Sequence, residues 1–339
     1  MDADRTNTTD DTDAHRAHWR EVVDRYRRPS TARALWQLVN TFIPYGLTWY
    51  AMYWAKDVAW WTLPPLIALA AALLLRIFII FHDCGHGSFM PSTRANDWIG
   101  RIAGVLTFTP YRHWTWEHSI HHGTTGHLDK RGTGDIWTMT VREYLASSRW
   151  KRFSYRLARN PFVLFVLAPL FVFGLMQRLP SPDAGRRERH SVWGTNLSLV
   201  CVAVALSHAF GAGTYLLLQL AVLALAGGAG IWMFYVQHQF EDVYWERDAQ
   251  WNYVSAALQG SSFYKLPRVL QWFSASIGFH HVHHLSVRIP NYNLQRCHES
   301  NELLRDVKPL SLLASLRTLR LRLWDEHSRK LVGFGRVKR

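Results

Sequence analysis

Cysteine is scarce. Cys84, Cys201 and Cys297 stand far apart in 339 residues and form no CxxC pair. That excludes a disulfide framework and a cysteine-ligated metal site, and it fits a reducing, cytoplasm-facing location. The first 30 residues are polar, so no cleavable signal peptide is expected there. Internal repeats, glycine/serine linkers and low-complexity segments are all lacking. One integrated unit is therefore expected over residues 35–300, between a cytosolic tail (1–34) and a basic cytosolic C-terminal segment (301–339). No nucleic-acid-binding fingerprint accompanies the net charge of +14. The basic residues instead flank apolar runs, as Arg25, Arg27, Arg28 and Arg33 do before the first, which suits membrane headgroups and excludes nucleic acid as a partner.

What is abundant is unevenly spread. Hydrophobic residues make up 48% of the chain, yet the mean hydropathy is −0.12. Apolar runs at 35–55, 60–81, 161–176, 196–210 and 214–236 alternate with stretches dense in Arg, Trp and His. A bilayer takes about 20 helical residues. The first two runs predict one spanning hairpin, and the last two, joined at Gly211-Ala212-Gly213, predict another. The run at 161–176 is short, begins at Pro161 and has arginines on both sides, so it is expected to lie in the interface or dip in and return.

Histidine supplies the reason for that parity. There are 18, and they cluster as His82-Asp83-Cys84-Gly85-His86, His118-Ser119-Ile120-His121-His122 and His280-His281-Val282-His283-His284, with His238 alone after the last run. Residues three and four apart share a helix face, so each cluster can offer two or three imidazoles to one point. Neutral imidazole suits Fe, Cu, Zn and Ni. Eight or nine such ligands exceed what one ion takes, so two ions are expected. At this histidine content a given chain holds an HxxHH by chance about 0.05 times; two, with an HxxxH and each near a membrane segment, are not accidental. All clusters must lie on one side of the membrane, so an even number of crossings separates His122 from His280. The arginines at 156, 159, 178, 186, 187 and 189 make that side cytoplasmic. His15, His18, His190 and His327 read as solvated, and His208 as a packing residue within an apolar run. His113, His127, His281 and His298 are candidates for outer support only. A b-haem carrier would set isolated histidine pairs inside facing spans, and a transporter would set polar ligands at mid-membrane. Clusters at helix ends fit neither.

At these residues the sequence resembles the integral membrane fatty acid desaturases, from about residue 36 to 294. The first cluster continues as Gly87-Ser88-Phe89, and the third is followed by Ile289-Pro290-Asn291-Tyr292, a combination similar to the acyl-lipid omega-6 or delta-12 type. The resemblance implies an all-α membrane protein with four transmembrane helices in two hairpins and a helical cytosolic cap. It implies two iron ions held by His82, His86, His118, His121, His122, His280, His283 and His284, with His238 matching a further family histidine. It implies O2-dependent desaturation of an acyl chain carried on lipid, CoA or carrier protein. Hydroxylases, ketolases and acetylenases share the scaffold. The chain lacks the His-Pro-Gly-Gly motif of a fused cytochrome b5, so electrons are expected from a separate ferredoxin-type carrier. Tyr111, Trp114, Trp116 and Trp137 are candidates for a substrate tunnel or for interfacial anchoring.

Overall fold

A computed structural model describes residues 19–336. His15, His18 and the outermost parts of both tails lie outside the described residues. The remaining chain is built on four long helices. α1 (Thr31–Val58) starts at Ser30, whose side chain accepts from the Arg33 N–H. After a 3₁₀ turn (Trp60–Thr62), α2 (Leu63–Gly85) returns, with proline in its first turn where the missing N–H costs nothing. α3 (Thr93–Leu106) and α4 (Tyr111–Thr124) follow in the cap. α5 (Arg149–Ala158), a π turn (Val163–Leu167) and α6 (Ala168–Gly174) lead to the second long pair, α7 (Arg186–Phe210) and α8 (Ala212–His238). Gly211 turns that corner at φ 80°, a backbone that favours glycine. The cap closes with α9 (Arg268–Phe273), α10 (His280–Leu285) and α11 (Asn291–Glu299).

The ends of the four long helices are sorted. Phe210 packs edge-on against Trp49 and Tyr53, so both hairpin corners meet at one end of the bundle. The start of α1 lies at the other end, where Gln37 donates to Asn291 and Arg33 to Asn293. That end also holds His82 and His86 at the close of α2 and His238 at the close of α8. The even-crossing requirement is thereby met: every histidine cluster is at the same end.

Among the described residues, three helices are long and apolar enough to cross a membrane, Trp60–Gly85, Arg186–Phe210 and Ala212–His238, or four if the bent pair below is one span. α1 has the length, 28 residues. Its inner face buries the polar side chains Gln37, Thr41 and Thr48, which lowers its average hydropathy. Its outer face exposes Trp36, Val39, Ile43, Leu47, Tyr50 and Trp54 at helical spacing, an apolar stripe suited to lipid. α7 begins ten residues before the expected run, because a polar extension carries the helix into the cap. His208 departs from expectation: it is exposed on the outside of α7 rather than packed within, since its helix face turns away from the bundle.

The run at 161–176 is bent by 61° from the helix before it, across residues 149–158 and 163–178. The part beyond the bend, Val163–Arg178, is 16 residues or about 24 Å at α-helical rise, short of a hydrocarbon core of about 30 Å. It packs on α8 at two glycines. A Cβ at Gly227 would stand 2.8 Å from that of Pro169, and one at Gly228 would stand 2.5 Å from the Phe165 carbonyl oxygen. The cap also contains short strands that sequence periodicity did not register. β1 (Met139–Thr140) pairs parallel with β4 (Leu323–Asp325), which pairs antiparallel with β5 (Lys330–Val332); β2 (Phe263–Lys265) pairs parallel with β3 (Pro309–Ser311). Two or three residues carry no readable alternation.

Gly228→Ala separates close packing from helix propensity. Propensity alone favours alanine by about 1 kcal/mol. Overpacking against a backbone oxygen costs about 1–3 kcal/mol. The thermal midpoint of the purified variant is therefore expected to fall, and a rise would show that α8 and the bent segment do not touch there.

Candidate metal centre

Four elements deliver nine imidazoles to one place: the end of α2 (His82, His86), α4 (His118, His121, His122), the end of α8 (His238) and α10 (His280, His283, His284). Their nitrogens form two groups able to hold a metal, His82/His86/His118/His122/His283 and His121/His238/His284, each with ligand atoms within 4.8 Å of one another. His280 adjoins the second, its Nε2 3.0 Å from the Nε2 atoms of His238 and His284. The sequence expectation that each cluster serves one point is thus refined. On α4, His118 and His122, four apart, face the first group while His121 turns to the second. On α10, His280 and His284 face the second while His283 turns to the first. Adjacent helical residues diverge by about 100°, so HxxHH is a two-site motif: its i,i+4 pair serves one group and the odd histidine the other.

Distances test whether metal fits. Nε2 atoms face each other at 3.0 Å for His118/His122, His122/His283, His238/His280 and His280/His284. Two imidazole nitrogens bound at right angles to one ion, each about 2.1 Å away, stand about 3.0 Å apart. His86 Nε2 and His121 Nε2 are buried without a protein partner. Burial, and then repulsion from neighbouring imidazoles, holds His118, His122, His280, His283 and His284 well below the ordinary histidine value. They are neutral donors at pH 7, as metal ligands must be.

Outer contacts fix which nitrogen faces inward. His121 Nδ1 donates to Asp135 at 2.7 Å, His82 Nδ1 to Asp83 at 3.1 Å, and His238 Nδ1 to the Gly260 carbonyl at 3.1 Å. Each leaves the Nε2 lone pair for the centre. The other Asp83 oxygen accepts from the backbone N–H of Asn291 at 2.6 Å and its side chain at 2.9 Å. Tyr292 donates to the Phe89 carbonyl. The Asn-Tyr of the third-cluster tail is therefore the clasp between the first and third clusters. Asp135 was not singled out from the sequence, and Asn291 was legible only as part of the Ile-Pro-Asn-Tyr tail; their roles depend on contacts 14 and 208 residues away. Asp83 was legible only as a member of its cluster.

The remaining histidines stay out of the centre. His113 accepts from the Ser181 N–H, His127 donates to Asp248, and His281 pairs with His298 at 3.1 Å. His190 and His327 are exposed. Trp114 stacks on the His118 ring at 4.3 Å, and the buried Tyr111 donates to the Cys84 carbonyl. Trp114 thus walls the centre, while Tyr111 packs behind it against Phe81. Trp137 is 43% exposed.

The fatty acid desaturase family matches residues 58–310. The chain belongs to the fatty acid desaturase family. It is 47% identical over 331 residues to a fatty acid desaturase of Bacillus subtilis, covering 97% of this chain and 94% of that one. An sn-1 oleoyl-lipid 12-desaturase of Synechocystis is 29% identical over 71% of this chain and 68% of its own. An sn-1 acyl-lipid omega-3 desaturase (ferredoxin) of the same organism is 26% identical over 80% and 76%. The protein is an integral membrane acyl desaturase, and its histidine clusters are the part of the fold able to carry metal.

For this desaturase, Asp135→Asn leaves His121 without a charged orienting partner. Metal affinity is expected to drop about 10–100-fold; an unchanged metal content under chelator competition would remove Asp135 from this role.

The lowered histidine values also fix a pH dependence. In the unfolded chain these imidazoles take up protons near pH 6.5, whereas the folded protein keeps them neutral to lower pH. Unfolding therefore binds protons, and stability present above about pH 6.5 is lost as the pH falls below it. The thermal midpoint of metal-stripped protein should be flat above about pH 7 and decline from about pH 6.5 downward; a midpoint constant to pH 5 would contradict the assignment.

Proposed function

We propose that the protein introduces a cis double bond into the acyl chain of a membrane glycerolipid, at a delta-12/omega-6-like position, with His82, His86, His118, His121, His122, His238, His280, His283 and His284 as ligands of two iron ions. The observation that carries the ligand set is the convergence of imidazole nitrogens at 3.0 Å in two groups. The regiochemistry is favoured by the 12-desaturase relative and by the Ile-Pro-Asn-Tyr tail, and an acyl-lipid carrier by the names of both Synechocystis relatives.

Iron, when bound, supplies O2 activation and the oxidising power to remove hydrogen from an unactivated methylene, which no side chain can do. The chain's own residues do the rest. Asp83, Asp135 and the Gly260 carbonyl hold Nδ1–H of three ligands and so aim their Nε2 atoms. Trp114, Phe78 and Phe81 form an aromatic wall beside His82 and His118 that keeps water from that flank. Phe234 covers His121 and His238 on the other. The active site faces the cytoplasm by the distribution of arginine, and a separate ferredoxin-type protein supplies electrons; a basic chain suits an acidic carrier by electrostatic steering.

Co-expression with a ferredoxin system, followed by gas chromatography of host lipids, should reveal a new alkene on existing acyl chains. A hydroxyl or triple bond with no alkene would assign the protein to the hydroxylases or acetylenases of the same scaffold. His121→Ala is expected to abolish turnover and lower bound iron; retained turnover with full iron would contradict its role.

A further inference from the structure

α2 carries a cation inside its apolar run. Arg76 is only 6% exposed, and a charge at such depth is costly and usually has a task. It is held by neutral partners. Nε donates to Thr41 Oγ1 at 3.0 Å, Nη1 donates to the Trp272 carbonyl, and the guanidinium lies over the Trp272 ring at 4.0 Å. Trp272 belongs to α9, just before a turn with unusual backbone. Ala275 and Ser276 have φ 45° and 61°. Their N–H groups donate to Trp272 O and Gln271 O, both at 3.0 Å. This is the left-handed helix terminus that ordinarily takes glycine, and L residues adopt it only where surroundings enforce it. His280 follows four residues later. Gln237, next to His238 on α8, grips the same turn by donating to the Ile277 carbonyl at 2.9 Å. Arg76 grips it from α2, about 9 Å along the helix from His82.

We propose that Arg76 is a positioning residue: by clamping Trp272 it enforces the left-handed turn at Ala275–Ser276 and so sets the third histidine cluster in register with the first, which its own helix carries. The inference rests on the metal-centre reading above. It explains why a guanidinium, able to offer a donor and a flat face to one residue at once, occupies this site.

The test uses the full chain in lipid nanodiscs. In metal-free protein, amide hydrogen exchange across residues 277–285 should be about tenfold faster in Arg76→Gln than in wild type, and iron affinity about tenfold weaker. Arg76→Lys should be intermediate, since an ammonium cannot hold carbonyl and ring together. Adding Ala275→Gly and Ser276→Gly to Arg76→Gln should recover most of both losses, because glycine adopts this turn without enforcement. A merely structural arginine would show no such rescue, as glycines loosen a chain that needs only packing. Unchanged exchange in Arg76→Gln, or failure of the glycines to restore it, would overturn the proposal. If Arg76→Gln does not fold, Trp272→Leu removes the ring contact alone and should show a smaller acceleration with the same glycine rescue. Wild-type protein that takes up no iron would sink the metal-centre reading while leaving the exchange comparison, read without metal, to decide on Arg76.

Discussion

Neutral imidazoles turn lone pairs toward one another at a cost. Four pairs of Nε2 atoms face each other at 3.0 Å here, inside a protein interior that offers them little water. His122 faces both His118 and His283, and His280 faces both His238 and His284, and one N–H cannot satisfy two such contacts. On the proposal above, cations between the groups offset that cost and require the groups to meet. Much else in the fold follows from that requirement. The helices that supply ligands must end at the same place, the connecting runs must cross an even number of times, and outer acceptors must hold Nδ1–H so that Nε2 is the free nitrogen.

Helix length and polarity meet the same demand. α2 and α8 are apolar for most of their course and then continue as helix into the cap, so that their last turns present His82, His86 and His238. α1 and α7 start in the cap as polar helix and become apolar below it. Two glycines on α8 let the bent 163–178 segment lie against it without spanning length of its own. The bilayer thus carries the frame while the chemistry sits on helix extensions, with aromatic rings closing the flanks.

Periodic and clustered features were legible in the sequence because they repeat at helical spacing. The two hairpins follow from apolar runs of bilayer length, and the converging histidines follow from i,i+3 and i,i+4 spacing and, for His238, from its place at the end of a run. Features set by contact across long sequence distances were not. Asp135 looks like any loop acid until its oxygen meets His121, and Asn291 becomes a clasp only because Asp83 lies beneath it. The split of each HxxHH between two groups was implicit in the 100° helical step, yet it needed the position of α8 to show which histidine turns away. His208 was misplaced because hydropathy reports that a helix is apolar and not which face is inward.

The third cluster shows how such contacts combine. α10 is six residues long with no side-chain cap, and an isolated helix of that length does not hold itself together in water. As proposed ligands, its histidines must nevertheless stay within a fraction of an ångström of fixed positions. The chain before it is tied to α8 through Gln237 and contacts α2 through Arg76 and Trp272. The chain after it is tied to α2 through Asn291 and Asp83, and to α1 through Gln37. Two of the three helices that carry the other converging histidines, α2 and α8, thus hold the chain leading into α10, and α2 also holds the chain leading out. Ligand spacing is then a property of the helix frame, and a cluster too short to fold alone inherits the rigidity of the bundle beneath it.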